Sequence, residues 1–236
     1  MSRLLAIDTS SSWCSVALST GSEQPLFRHE KLSSAASQHL LPWIDALLQE
    51  AKLELQDLDA IAVNIGPGAF TGVRLGLAVT QGLALSANLP VIPVMSLDAI
   101  AAQFHQGRLS NHQATNLVVA IDARMDEVYW AQYQLQLNAQ AERISDAHLS
   151  APELVELSEA DIVIGSAILE YGDRLLTPDT IIKQDQIGAH ALGVLICAQA
   201  MWDQGMQIPV AQLEPLYVRN KVAFTTEERL HHGLLK

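Results

Sequence analysis

Apolar residues fall along this chain in short runs separated by polar turns, and the most informative arrangement spans Asp59–Pro90, DAIAVNIGPGAFTGVRLGLAVTQGLALSANLP. Ala60–Val63 is a continuous apolar run, the pattern of a strand buried on both faces. Gly66-Pro67-Gly68 cannot continue a strand and favours a tight turn. Thr71 is placed to cap a helix over Gly72–Leu85, which Asn88 and Pro90 close. In that helix Arg74, Thr80 and Gln81 are the only polar side chains. A helix lying on a sheet needs one apolar stripe. This one is apolar nearly all round, which predicts two covers, its own domain and a protein partner. Gly72 and Gly76 lie four apart, with Val79 and Leu83 continuing the row. They predict a face where a partner's backbone comes close, flanked by Leu75. Tight packing of that face on the chain's own sheet is the alternative reading.

The same reading gives strands at Leu4–Thr9, Trp13–Leu18 and Leu26–Lys31, the last antiparallel. A helix follows over Ser37–Ala51, with Leu40, Leu41, Ile44, Leu47 and Leu48 on one side and Pro42 near its first turn. After the central unit come a strand at Val91–Val94 and a helix at Leu97–Gln103. The polar segment Gly107–Asn116 is the expected boundary. The second half begins as the first did: LLAIDTSSSWCSVAL at Leu4–Leu18 aligns with LVVAIDARMDEVYWA at Leu117–Ala131. Helix Pro152–Leu157, strand Ile162–Ile164, a further helix, strand Thr180–Lys183 and helix His190–Gln204 continue the second half. Matched order around two Ala-Ile-Asp tripeptides predicts a duplicated α/β fold, two lobes facing across a cleft. The expected lobes are 1–107 and 108–236, with the C-terminal segment packing back on the first.

Composition narrows the function. The chain has 236 residues with 14 Lys and Arg against 26 Asp and Glu, a formal charge of −12. Phosphate contacts need clustered basic residues, so this balance argues against a stand-alone tRNA binder, which stays as a third reading. Two cysteines, Cys14 and Cys197, form no C-x-x-C and predict neither a disulfide framework nor a zinc site. With no signal peptide ahead of the first strand, the expected location is the cytoplasm.

Asp8 and Asp122 each end a strand where a turn begins. Such carboxylates hold Mg²⁺ or act as a general base in phosphoryl transfer, or simply accept nearby backbone N–H bonds. The weak candidates for a cofactor site are Asp8, Thr9 and Ser10, with hydroxyls but no glycine, and Gly66 and Gly68 ahead of a helix N-terminus. Neither standard phosphate-loop fingerprint is complete, since no Lys-Ser/Thr follows the loop and Thr71 stands where the third glycine is needed. The eight histidines make no H-x-x-x-H or H-E-x-x-H, and no G-x-S-x-G elbow is present, so no metal and no catalytic residue is expected.

Four stretches together carry a family resemblance: MSRLLAIDTS at Met1–Ser10, IGPGAFTGVRLGLAVTQGLAL at Ile65–Leu85, AIDARMDEVYWAQY at Ala120–Tyr133 and LEPLYVRN at Leu213–Asn220. The chain resembles the TsaB (YeaZ) family of tRNA threonylcarbamoyladenosine biosynthesis subunits across essentially its whole length. The resemblance implies two duplicated lobes of actin-like/Hsp70-like (ASKHA) ATPase fold. It also implies a role in placing threonylcarbamoyl on the adenosine beside the anticodon of tRNAs that read codons beginning with A. In that family the transfer is done by a paralogue, TsaD, with a His-x-x-x-His metal site and a nucleotide pocket, assisted by a small ATPase, TsaE. Here the histidine pair is missing and the second half carries a lone Gly165 rather than paired glycines. The implied part is a non-catalytic subunit without a cofactor of its own, ATP and metal sitting on its partners and tRNA met only through the complex. The implied contact with TsaD lies on the first lobe's first two helices, giving Leu40, Trp43, Leu47, Gly72, Leu75, Gly76, Val79 and Leu83. A homodimer of the isolated chain is an alternative use of the same helices. The rival from another class is an actin-like ATPase or small-molecule kinase using Asp8 and Asp122 across the cleft.

Overall fold

The structure, a computed structural model, describes residues 2–21, 24–32, 36–106, 114–136, 140–185 and 188–218. The first lobe contains β1 (Leu4–Asp8), β2 (Trp13–Leu18), β3 (Leu26–Lys31), α1 (Ala36–Ala51), β4 (Ala60–Asn64), α2 (Phe70–Ala87), β5 (Val91–Val94) and α3 (Ser96–Gln106). The second half contains β6 (Thr115–Asp122), β7 (Val128–Leu135), β8 (Glu142–Arg143), β9 (His148–Ser150), β10 (Ile162–Ile164), α4 (Ala167–Tyr171), β11 (Ile182–Gln184) and α5 (Ala191–Asp203). One sheet has the order β3-β2-β1-β4-β5 and the other β8-β7-β6-β10-β11, with β9 also pairing β7. In each, the first three strands are antiparallel and the last two join in parallel. The two sheets therefore share one topology, and the duplicated actin-like architecture implied by the sequence is present.

Strand alternation explains the layers. Leu5 and Ile7 of β1 point to the side covered by α1 and α2, while Leu4 and Ala6 point to the opposite core. That opposite core also takes Leu97 and Ile100 of α3, Val194 of α5, and Leu117 and Val119 of β6. Val118, Ala120 and Val163 face a third core on the far side of the second sheet. Burial on both faces is why β1 and β4 read as unbroken apolar runs. Helix α5, from the second half of the sequence, packs against β1, β2, β4, β5 and α3. Gly193 lets this happen, because a side chain there would collide with the Ala99 carbonyl of α3. The C-terminal segment then pairs Ile208 with Val91, buries Leu213 and donates Leu216 N to Ile65 O at 2.9 Å. Of the expected boundary at Gly107–Asn116, residues 107–113 lie outside those described. Buried Tyr133 of β7 donates to Asp98 Oδ1 of α3 at 2.8 Å, and Arg143 Nε lies 3.2 Å from the same oxygen, a tie between the two halves.

Some elements differ from expectation for local reasons. Helix α2 starts at Phe70 with Ala69 as N-cap, so Thr71 lies inside the first turn and caps nothing. Ala69 N is held by Ser10 O and Ala69 O accepts from Val73 N, so a tertiary bond sets where the helix begins. Helix α1 starts at Ala36, which leaves Pro42 well inside it. The carbonyl four residues back, which loses its helical N–H donor, belongs to the exposed Gln38 and is not sealed in the core. Leu41 is 49% exposed because the buried stripe runs Leu40, Ile44, Leu47 and Leu48, about 100° away. The expected helix at Pro152–Leu157 is a single 3₁₀ turn over Pro152–Leu154.

Candidate functional site

Asp8 ends β1 and is fully buried. Its Oδ1 accepts from Ser10 N at 2.9 Å, and Oδ2 has no hydrogen-bond partner. Burial pushes the carboxyl up to about 6, against a weaker pull from Ser10 and Asn64. Asn64 Nδ2 donates to Ser10 Oγ at 3.1 Å, while Asn64 Oδ1 accepts from Ser96 Oγ at 2.7 Å and from Gly66 N at 2.9 Å. Thr9 Oγ1 donates to Gly72 O at 2.7 Å. Asp8, Thr9 and Ser10 thus form a buried strut fixing the Gly66–Gly68 loop and the start of α2. In this arrangement the weak cofactor candidates Asp8, Thr9 and Ser10 have buried side chains, and the Thr9 and Ser10 hydroxyls are hydrogen-bonded inside the protein. Cys14, also buried, has its thiol pushed up to about 12, chiefly by burial and further by Asp8.

The glycine row of α2 faces the same strut. A side chain at Gly72 would collide with the Thr9 carbonyl, and a Cβ at Gly76 would lie 2.8 Å from Thr9 Oγ1 and 3.5 Å from Val63. Gly72 and Gly76 therefore leave the partner surface and belong to the lobe's own packing. Leu40 and Leu47 leave it too, both at 0% exposure under α1. The helical period could not decide this, because a row of small residues fits a sheet and a partner equally well. What α2 turns outward is the opposite side, with Ala78, Gly82 and Leu85 exposed and Leu75, Val79 and Leu83 half-buried beside them. Leu85 is 69% exposed, and on α1 Leu41 is exposed and Trp43 half-buried.

Asp122 ends β6 at the position equivalent to Asp8 but is differently engaged. Its Oδ1 accepts from Tyr171 OH at 2.8 Å and from Arg124 N at 2.7 Å, and Arg124 Nη1 lies 3.1 Å from Oδ2. Arg124, Met125 and Asp126 all have positive φ, a turn that folds the guanidinium back on the carboxylate. Among the described residues no cluster of three or more His, Cys, Asp or Glu has the geometry to hold a metal ion, and no helix is long and apolar enough to cross a membrane.

Sequence reading missed a cavity of about 220 Å³ where the lobes meet. It is lined by Gly66–Arg74 at the entry to α2, by Ala123, Arg124 and Tyr129 of the second lobe, and by Pro215–Val218. Arg74 lies with its guanidinium carbon 3.3 Å from the Phe70 ring centroid, and its Nη2 donates to Tyr217 OH at 2.7 Å. Gly66 and Gly68 line this cavity and also pack on the Asp8 strut, where a side chain at Gly68 would collide with the Ser10 carbonyl. Each of the three segments stands out in the sequence; their convergence depends on the return of the C-terminal segment across the first lobe, which no local pattern encodes.

The family model of tRNA N6-adenosine threonylcarbamoyltransferase, TsaD, matches residues 29–222. The tRNA threonylcarbamoyladenosine biosynthesis protein TsaB of Escherichia coli is 34% identical, the match covering 94% of this chain and 96% of the relative. The TsaB of Haemophilus influenzae is 36% identical, covering 94% and 95%. Among solved structures, YeaZ from Pseudomonas aeruginosa superposes with a TM-score of 0.81 at 36% identity, covering 92% of this chain and all of that one. With curated relatives and a solved structure alike matched nearly end to end, the chain belongs to the TsaB (YeaZ) family.

Proposed function

We propose that this chain is a non-catalytic partner subunit in tRNA threonylcarbamoyladenosine biosynthesis, acting by binding a TsaD-like catalytic paralogue. A TsaE-like ATPase joins the assembly, and tRNA is engaged through the complex. The relatives' names supply the pathway. The observation that carries the subunit role is the outward side of α2, where Leu85, Ala78 and Gly82 are exposed beside half-buried Leu75, Val79 and Leu83. A solvent-facing helix side this apolar is the kind of surface a partner covers. The rival reading, an ATPase or kinase working through Asp8 and Asp122, is disfavoured because Asp8 is sealed in the protein and Asp122 is already bound by Arg124 and Tyr171.

The test is complex formation with the TsaD-like paralogue. Ala78→Arg and Leu85→Asp place charge on exposed positions, so each variant should melt within a few degrees of the parent chain. Binding should weaken by about 5- to 150-fold, the range for roughly 1–3 kcal/mol lost from a packed contact. Undiminished binding by the double variant would remove α2 as the contact.

A further inference from the structure

We propose that His29 and His190 together bind a divalent transition-metal ion of the Zn²⁺ class, a site independent of the partner surface on α2. His29 lies on β3 and His190 is the N-cap of α5, so no sequence spacing connects them. Their ring centres are 5.4 Å apart, with planes inclined at 60°. Two imidazoles sharing one tetrahedral ion, each held through nitrogen at roughly 2.0–2.1 Å, have ring centres about 5 Å apart. The nitrogens are a second, separate observation. His29 Nδ1 and His190 Nδ1 are both buried, and neither has a hydrogen-bond partner. Unpaired buried nitrogens are costly, and two of them on touching rings are relieved together by one ion. Burial lowers the pKa of both imidazoles, that of His190 to about 4, so each carries a lone pair and no charge.

Both rings are held in place by the fold itself. Trp13 stacks on His29 with ring centres 4.5 Å apart and planes 7° from parallel, and Phe27 lies against both histidines. The backbone at His190 is fixed on two sides: its N–H donates to Gln103 Oε1 at 2.9 Å, and Ala191 N donates to Ser15 Oγ at 2.8 Å. Ser15 is also the cross-strand neighbour of His29, which ties both histidines to one point on β2. Ligands fixed in this way lose little freedom when an ion binds. Imidazole nitrogen suits Zn²⁺, Ni²⁺ and Cu²⁺, whereas Mg²⁺ and Ca²⁺ take oxygen. Cys14 faces the opposite core, so the protein supplies two ligands and water completes an open coordination shell. A formal charge of −12 favours a cation.

The experiment uses the full chain carrying His231→Gln and His232→Gln, which removes an adjacent pair that would compete for the ion. Calorimetric titration with Zn²⁺ should show one site, and Mg²⁺ should not bind. His29→Phe and His190→Phe keep the ring packing and should each weaken Zn²⁺ by about 10-fold or more, since one of two ligands is lost. His29→Gln and His190→Gln repeat the measurement with a polar replacement, so a Phe variant that fails to fold does not end the test. Substoichiometric Ni²⁺ should broaden the amide NMR signals of Ser15, His29 and Ala191 first. Saturating Zn²⁺ should raise the melting temperature of the chain, and the double variant at 29 and 190 should lose that rise. Zn²⁺ affinity unchanged in the double variant, broadening centred elsewhere, or no Zn²⁺ binding at millimolar concentration overturns the proposal; the last is the result if the two nitrogens share only a water.

Discussion

Asp8 gives the structure a measurable pH signature. Its carboxyl is raised from an ordinary 3.8 to about 6 because burial disfavours the charged form. Between those values the native protein holds a proton that the unfolded chain has lost, so stability falls as pH rises through the window. The penalty is absent below about pH 4 and complete above about pH 6, where it amounts to about 3 kcal/mol. Asp8→Asn keeps an oxygen to accept from Ser10 N and removes the charge. Its amide puts N–H donors where Oδ2 has no partner, but that cost does not vary with pH. Other acids cancel in the comparison, including Asp98, which burial also raises. Urea unfolding of both proteins at about pH 4.5 and about pH 7.5 should show the difference moving by about 2 kcal/mol in favour of the Asn variant. A difference that stays constant with pH would refute the buried, uncompensated carboxylate.

Gly76→Leu should lower the melting temperature of the isolated chain by about 4–10 °C in calorimetry, because overpacking and the displaced Thr9 hydroxyl outweigh the gain in helix propensity. Gly82→Ala, with open space around the added Cβ, should instead raise it by about 1–4 °C. Tyr133→Phe removes a buried donor from Asp98 and should cost about 1–3 kcal/mol in urea unfolding. Asp8→Ala and Asp122→Ala, each tested in a reconstituted threonylcarbamoyl transfer assay, should stay within a few-fold of the parent rate; a loss of about 100-fold with the complex intact would assign them to chemistry.

Periodicity located the strands closely: Trp13–Leu18, Leu26–Lys31 and Val91–Val94 are as the pattern places them. The duplication was legible because Asp8 and Asp122 end equivalent strands in sheets of identical order. What periodicity leaves open is which face of a uniformly apolar helix turns inward. On α2 the answer is set by the Thr9 carbonyl, sixty-odd residues away, reaching the backbone at Gly72. Helix starts suffer similarly, since Ala69 caps α2 through Ser10 and not through a side chain of its own. The cavity needed three distant segments, one of them the tail beyond α5, and each was noticed in the sequence without its neighbours.

The two copies of the lobe diverge in one layer, and that layer is where the proposed contact lies. Both place a positive-φ glycine just after the fourth strand, Gly66 after β4 and Gly165 after β10. Beyond that glycine the first copy builds α2 with 18 residues, while the second builds α4 with 5 and stops at Gly172. Ahead of the fourth strand the first copy has the 16-residue α1, and the second has a 3₁₀ turn over Pro152–Leu154. The second lobe also exposes Leu154 and Leu169, but on elements too short to present a row. Covering one sheet face needs only the inward stripes of α1 and α2, Leu40, Ile44 and Leu47 with Val73, Leu77 and Ala84. Ala78 and Leu85 on the outward side of α2 lie outside that core and place apolar surface in water, and Leu75, Val79 and Leu83 are only half covered by it. An apolar outer face confined to the lengthened helix of one copy is what a docking surface adds to a duplicated scaffold, and it supports placing the partner on α2.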